Sequence, residues 1–184
     1  DIETSFLVSG HWSIWGVNIG IDQIFEGGET ICYAARWVGE KEVVWRRKGN
    51  KDFLTKIHEL LNEADVILTY NGRRFDLPLL NREFIKAGLA PPAPYKHIDL
   101  LETVKKQFKF PSNKLDYVCR ELEIGQKVAH EGFKLWVKCK EEDTEAWAKM
   151  KEYNIGDIDI LEKLHDKLLP WIVGYPNAAL YTAV

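Results

Sequence analysis

The chain opens Asp1-Ile2-Glu3-Thr4, two carboxylates separated by one apolar residue. In a β-strand, residues two apart point to the same side. Asp1 and Glu3 would then share one face while Ile2 turns to a core. Hard divalent cations such as Mg²⁺ take oxygen ligands, often one or two carboxylates completed by water. A solvated acidic terminus has the same spelling, so the reading depends on whether other acids reach the same point. Asn71-Gly72-Arg73-Arg74-Phe75-Asp76 offers one, directly after an apolar run. Ligands in α/β sheets collect beyond the carboxyl ends of strands. Asp76 is equally placed to cap the helix that follows, with Pro78 near its first turn. Tyr153-Asn154-Ile155-Gly156-Asp157 offers another. Positions four apart on a helix share a face, so the Tyr153 hydroxyl and the Asp157 carboxylate can address one point. Gly156 costs about 1 kcal/mol relative to Ala inside a helix. Its presence points to a close approach by a backbone or ligand, or to a simple packing gap. Asp159 would point elsewhere and reads as solvated.

These residues need strands and helices to bring them together. Thr30–Trp37 is a β-branched and aromatic run, with Val43-Val44-Trp45 as its hairpin partner across Gly39-Glu40-Lys41. Asn50 is placed to cap a helix over about 51–64, whose apolar face is Phe53, Ile57, Leu60 and Leu61. Val66–Tyr70 reads as a buried strand ending at the Asn71-Gly72 turn. A helix over about 77–87 stops at Gly88. The Pro91-Pro92-Ala93-Pro94 loop follows, and Ile98–Leu101 resumes order. Helices are expected at about 114–122 and 144–169, the second stopped by Pro170. The stretch 6–28 has no clear period. Strands first, then strands alternating with helices, make a single mixed α/β domain over 1–184, a central sheet flanked by helices.

The 184 residues are 46% hydrophobic and 29% charged, ordinary for a globular domain. No apolar run is long enough to span a bilayer, so no membrane partner is expected. Cys32, Cys119 and Cys139 form no CxxC pair, which argues against a disulfide framework or zinc site and for a reducing cytoplasm. A net charge of −3 argues against a generally cationic nucleic-acid binder. Its distribution is uneven, however. Residues 96–140 carry ten Lys/Arg against six Asp/Glu, and residues 141–169 carry four against nine. A basic face beside an acidic pocket suits an anionic ligand, although two solvated helix faces of opposite sign fit the same counts.

Taken together, Asp-x-Glu, Asn-x-x-x-Phe-Asp and Tyr-x-x-x-Asp resemble the three motifs of the DEDD-superfamily 3′–5′ exonucleases. Order and approximate spacing match, and the branch is the tyrosine (DEDDy) one. The place where the histidine branch carries its His is Glu152 here. The stretches "YKHIDLLETVKKQFKF", "SNKLDYV", "HEGFKLWVKCK", "AWAKMKEYNIGDIDILEKL" and "PWIVGYPN" look similar to those of phage-encoded exonucleases of this branch. The resemblance implies an RNase H-like fold and a two-metal phosphodiesterase using Mg²⁺ or Mn²⁺. By analogy, Asp1, Glu3 and Asp157 would hold the metal that carries the attacking water. Asp1 would also bridge to a second metal, supported by Asp76 largely through waters. A phenol with a pKa near 10 is a poor base at neutral pH, so Tyr153 would orient that water.

The implied substrate is the 3′ end of a single strand, DNA ahead of RNA, shortened by one nucleoside 5′-monophosphate at a time. A replication or recombination partner in a bacterial host cytoplasm is part of the same implication. Candidate substrate contacts are Thr4 and Phe6 beside the first motif, Asn71, the cations Arg73, Arg74 and Lys114, and His130. Trp12 and Trp15 either stack on terminal bases or pack in the core. Asp99 resembles an acid found at this place in many relatives and is assigned no metal. The rivals are an RNase H-like structure-specific endonuclease and a catalytically silent nucleic-acid-binding module. In the family an apolar half-strand precedes the first Asp, so Asp1 is expected to begin mid-strand, the preceding half-strand missing.

Overall fold

The computed structural model describes residues 1–175. The end of the "PWIVGYPN" stretch lies outside them. Strand β1 (Ile2–Thr4) is followed by the short pair β2 (Val8–Ser9) and β3 (Ile24–Glu26), then by β4 (Thr30–Ala35) and β5 (Val44–Arg47). Helix α1 (Phe53–Glu63), β6 (Val66–Thr69), α2 (Asp76–Lys86) and β7 (Lys96–Asp99) alternate. Four helices follow among the described residues: α3 (Leu100–Gln107), α4 (Leu115–Glu121), α5 (Phe133–Lys140) and α6 (Thr144–Leu168).

The mixed α/β architecture is as expected, with one qualification. Hydrogen bonding divides the strands into an antiparallel β1-β4-β5 sheet, a parallel β6-β7 pair and the β2-β3 pair. A cleft of about 490 Å³, lined by Asp1, Ile2 and residues of β4 and β6, lies between the first two. Helices cover these strands through their apolar stripes. Phe53, Ile57 and Leu61 of α1 pack with Ile2, Tyr33, Leu80 and Phe84 in one buried cluster. Ile98, Leu100, Val104, Val118 and Leu164 form a second. Cys32, Leu135, Cys139 and Met150 form a third. Burial of each large aliphatic side chain contributes about 1.5–3 kcal/mol. All three cysteines are buried and free.

The long α6 contributes to the second and third clusters, so one helix packs into both. Its start is capped by Asp143, whose carboxylate accepts from the Ala146 N–H at 2.8 Å. Its end gives way to a 3₁₀ turn over Leu169–Trp171, where Pro170 stops the α-helical ladder.

Three details differ from expectation. The cap position of α1 is Asp52, not Asn50. The Asp52 carboxylate is drawn to the Arg46 guanidinium at 2.9 Å, and Asn50 Oδ1 instead accepts from the Arg47 N–H. Asp159 is not merely solvated, because it accepts from Arg36 at 2.6 Å, a residue 123 positions away in the chain. Helices α3 and α5 form outside the expected helices, and the stretch 6–28 contains the β2-β3 pair with loops.

Candidate active site

Strand β1 lies antiparallel to β4, with Ile2 opposite Tyr33 and Glu3 opposite Cys32. The Asp1 backbone exchanges hydrogen bonds with Ala34 at 3.0 Å in both directions. This pins the strand that carries the first two acids. Ile2 is 3% exposed in the core, which leaves Asp1 and Glu3 on the other face. Asp157 comes from α6 to meet them. Each of Asp1, Glu3 and Asp157 offers a carboxylate oxygen, and the three oxygens lie within 4.8 Å of one another.

Asp76 stands beside this group rather than within it. It is the first residue of α2, buried, and its Oδ1 accepts from the Ile2 N–H at 3.0 Å. The capping alternative is therefore set aside: the cap position is Phe75, and Asp76 spends an oxygen on β1 rather than on its own helix. This backbone contact ties the middle motif to the strand of the first.

Tyr153 and Asp157 lie one turn apart on α6, as the spacing requires. Between them stands a residue that the sequence reading missed. Lys127 donates from Nζ to Asp157 Oδ2 at 2.5 Å and to the Tyr153 hydroxyl at 3.1 Å. Burial pulls the Lys127 pKa down, but the Asp157 charge and hydrogen bond outweigh it and the ammonium titrates above its ordinary value. Burial pushes Asp157 upward despite that partner. Burial, then the Asp157 charge, push Tyr153 up, so its phenol is neutral at neutral pH.

Gly156 explains how Lys127 gets there. A Cβ at that position would lie 2.7 Å from Val128 Cγ2. The missing side chain is the seat of the loop that carries Lys127, which resolves the earlier choice between close approach and empty gap. Gly156→Ala is expected to push that loop out. Overpacking a stiff β-branched neighbour costs about 1–3 kcal/mol, against roughly 1 kcal/mol gained in helix propensity. A lower urea midpoint checks this, and an unchanged or higher one contradicts it.

The candidate substrate contacts fall at the turn after β6, the start of α4, the Tyr153 ring and the end of β1. Asn71 closes the turn after β6 at φ 68°. Asp99 caps α3 and also accepts from the Asn71 and Arg73 N–H groups at 2.7 and 3.1 Å, so its role is to hold this turn. Gly72 is required there because a Cβ would lie 2.5 Å from Thr69. Arg73 and Arg74 are exposed, the former paired with Glu102 at 3.2 Å. Lys114 is exposed at the start of α4. His130 packs its ring 4.7 Å from that of Tyr153, which brings it to the site. Thr4 ends β1, and Phe6 packs on Phe133 at 4.9 Å. Trp12 and Trp15 are exposed, so core packing is excluded for both.

The donor set fits a divalent cation. Three hard oxygen ligands face one ammonium, and Asp157 Oδ1 is buried without a partner. Crowding appears in Glu3, whose pKa is pushed from 4.5 up to about 7, first by burial and then by the Asp157 charge. A carboxyl that holds its proton more tightly when folded adds stability below pH 4.5, and that stability is lost as pH rises through 7. A cation replaces the lost proton. The thermal stabilisation by Mn²⁺ over EDTA should therefore be larger at about pH 8 than at about pH 6; an equal or reversed increment contradicts the placement of the ion.

An antiparallel sheet and a parallel strand pair under helices, with carboxylates from the first strand and the last long helix converging, define an α/β fold with an acidic centre able to hold a cation. The RNase H superfamily model matches residues 1–169, and the chain belongs to that superfamily. Membership supports nuclease-type chemistry on nucleic acid. The chain is similar to the family B DNA polymerase from the hyperthermophilic archaeon Pyrobaculum calidifontis, with a TM-score of 0.64 and 17% identity over 77% of this chain. It spans 22% of that polymerase's length. No curated protein matches it. Among the described residues, no helix is long and apolar enough to cross a membrane.

Proposed function

We propose that this chain is a single-domain, metal-dependent 3′–5′ exonuclease that releases nucleoside 5′-monophosphates from single-stranded nucleic acid, DNA in preference to RNA. The observation that carries the reading is the convergence of Asp1, Glu3 and Asp157 within 4.8 Å beside the Tyr153 hydroxyl. Asp1, Glu3 and Asp157 would hold a first Mg²⁺ or Mn²⁺, with Asp1 shared and Asp76 supporting a second. Such ions, when bound, activate a water and stabilise charge on the phosphoryl oxygens.

The chain's own residues do the rest. Tyr153 is a neutral phenol, so it orients the attacking water by hydrogen bond rather than taking its proton. Lys127 already donates to the phenol oxygen, so the phenol's own proton, shared with Asp157, would be the one offered to that water. With Asp157 holding a cation, the ammonium would be available to a substrate phosphate. Asn71, held by Asp99, and the exposed Arg73, Arg74 and Lys114 would contact the strand's backbone. His130 supports the Tyr153 ring, while Thr4 and Phe6 would contact the terminal nucleotide.

A 5′-labelled single-stranded oligonucleotide with Mg²⁺ or Mn²⁺ should give a descending ladder, faster on DNA than on RNA. Asp76→Asn keeps an oxygen to accept from Ile2 and should keep the fold, yet lose the ladder. Inertness with both metals would sink the proposal, and full activity of Asp76→Asn would refute the role of Asp76.

A further inference from the structure

We infer that Asn154 is a positioning residue that fixes Asp1 to receive a divalent cation; this rests on the nuclease reading above and extends its site by one residue. Asn154 is wholly buried on α6, three residues before Asp157 and so on the same helix face. Its Nδ2 donates to Asp1 Oδ2 at 2.6 Å and approaches the Asp1 carbonyl at 3.4 Å. The backbone of Asp1 is held by Ala34 on β4. Asp1 is thereby clamped from the sheet through its main chain and from the helix through one carboxylate oxygen. Its second oxygen is left for an ion.

The chemistry of the donor suits this task. An amide orients a carboxylate without bringing a positive charge, so it supports ligand geometry without competing for the cation. Lys127, which grips Asp157 from the neighbouring loop, does bring that charge. The other end of the amide is also informative. Asn154 Oδ1 is buried with no partner. A buried acceptor left unsatisfied is destabilising, and an apolar residue of the same shape would avoid it. A residue present only to fill the core would not leave that oxygen stranded. The cost is explained if the Nδ2 end is what the position requires.

The first measurement uses the full chain without nucleic acid. Mn²⁺ affinity is measured by the free-ion electron paramagnetic resonance signal for wild type and Asn154→Leu, alongside thermal midpoints in EDTA. The expected result is a loss of Mn²⁺ affinity of roughly 10- to 100-fold, with a midpoint in EDTA equal to wild type or higher. Turnover should fall while the KM for the oligonucleotide holds. Wild-type affinity with a lowered midpoint would make Asn154 structural and overturn the inference. Should the Leu variant not fold, Asn154→Ala admits a water in place of the amide and should weaken Mn²⁺ by about tenfold; unchanged affinity there overturns the inference equally. Wild type that binds Mn²⁺ but leaves nucleic acid uncut would sink the nuclease reading while the role of Asn154 stands.

Discussion

Asp157→Asn is expected to abolish exonucleolysis, by about a thousandfold or more, while the fold persists undiminished. A thousandfold in rate is about 4 kcal/mol of lost transition-state stabilisation, within reach of a group that holds charge at the reacting centre. Asp157 is one of three carboxylates grouped within 4.8 Å, and the only one of them set on the tyrosine's helix. The amide is nearly the same shape and still offers Lys127 an oxygen, but it carries no charge to offset a cation. Burial holds the Asp157 carboxyl above its ordinary range. The amide removes the cost of burying that charge but leaves the Lys127 ammonium facing a neutral partner, and the two effects oppose each other. The thermal midpoint in EDTA should stay close to that of wild type, and the Mn²⁺-dependent increment should vanish. A variant that loses its fold would assign Asp157 to structure, and one that keeps the ladder would remove it from the site.

Lys127→Met is expected to have the second largest effect, and an opposite signature. The ammonium is the cation held against Asp157 in the metal-free protein, with Asp157 3% and Lys127 28% exposed in their side chains. Removing one partner of a buried pair leaves the other charge uncompensated, at a cost of about 3 kcal/mol for a partly exposed lysine. That loss should appear in EDTA as a lower urea midpoint. Saturating Mn²⁺ should restore most of it, because the ion supplies the charge the lysine gave. Equal destabilisation with and without Mn²⁺ would show that Lys127 acts through packing and not through the charge of the site.

What was legible in the sequence follows from periodicity. The two-residue spacing of Asp1 and Glu3 and the four-residue spacing of Tyr153 and Asp157 each place a pair on one face, given a strand or a helix to carry it. The apolar stripe of Phe53, Ile57 and Leu61 located α1, and Val66–Thr69 located the buried strand before the Asn71 turn. Residues whose partners are distant were not legible. Lys127 sits in an aperiodic loop, and its meeting with Asp157 depends on Val128 seating against Gly156. The only trace of it in the sequence was the unexplained glycine. Asn154 lay inside a quoted motif, but nothing local says that its amide crosses to Asp1, 153 residues earlier. Asp159 looked solvated for the same reason, its partner Arg36 lying on another element. Trp12 and Trp15 were open to either reading because an aromatic residue in an aperiodic stretch carries no burial signal; the structure leaves both exposed.

The claim on which the account stands is that cleavage begins at a strand end. Incubation with Mn²⁺ of a linear single strand and the same sequence closed into a covalent circle tests it most directly. The account predicts that the linear strand is consumed to mononucleotides while the circle survives intact. Conversion of the circle to linear fragments at a comparable rate would contradict it and make the acidic centre that of an endonuclease.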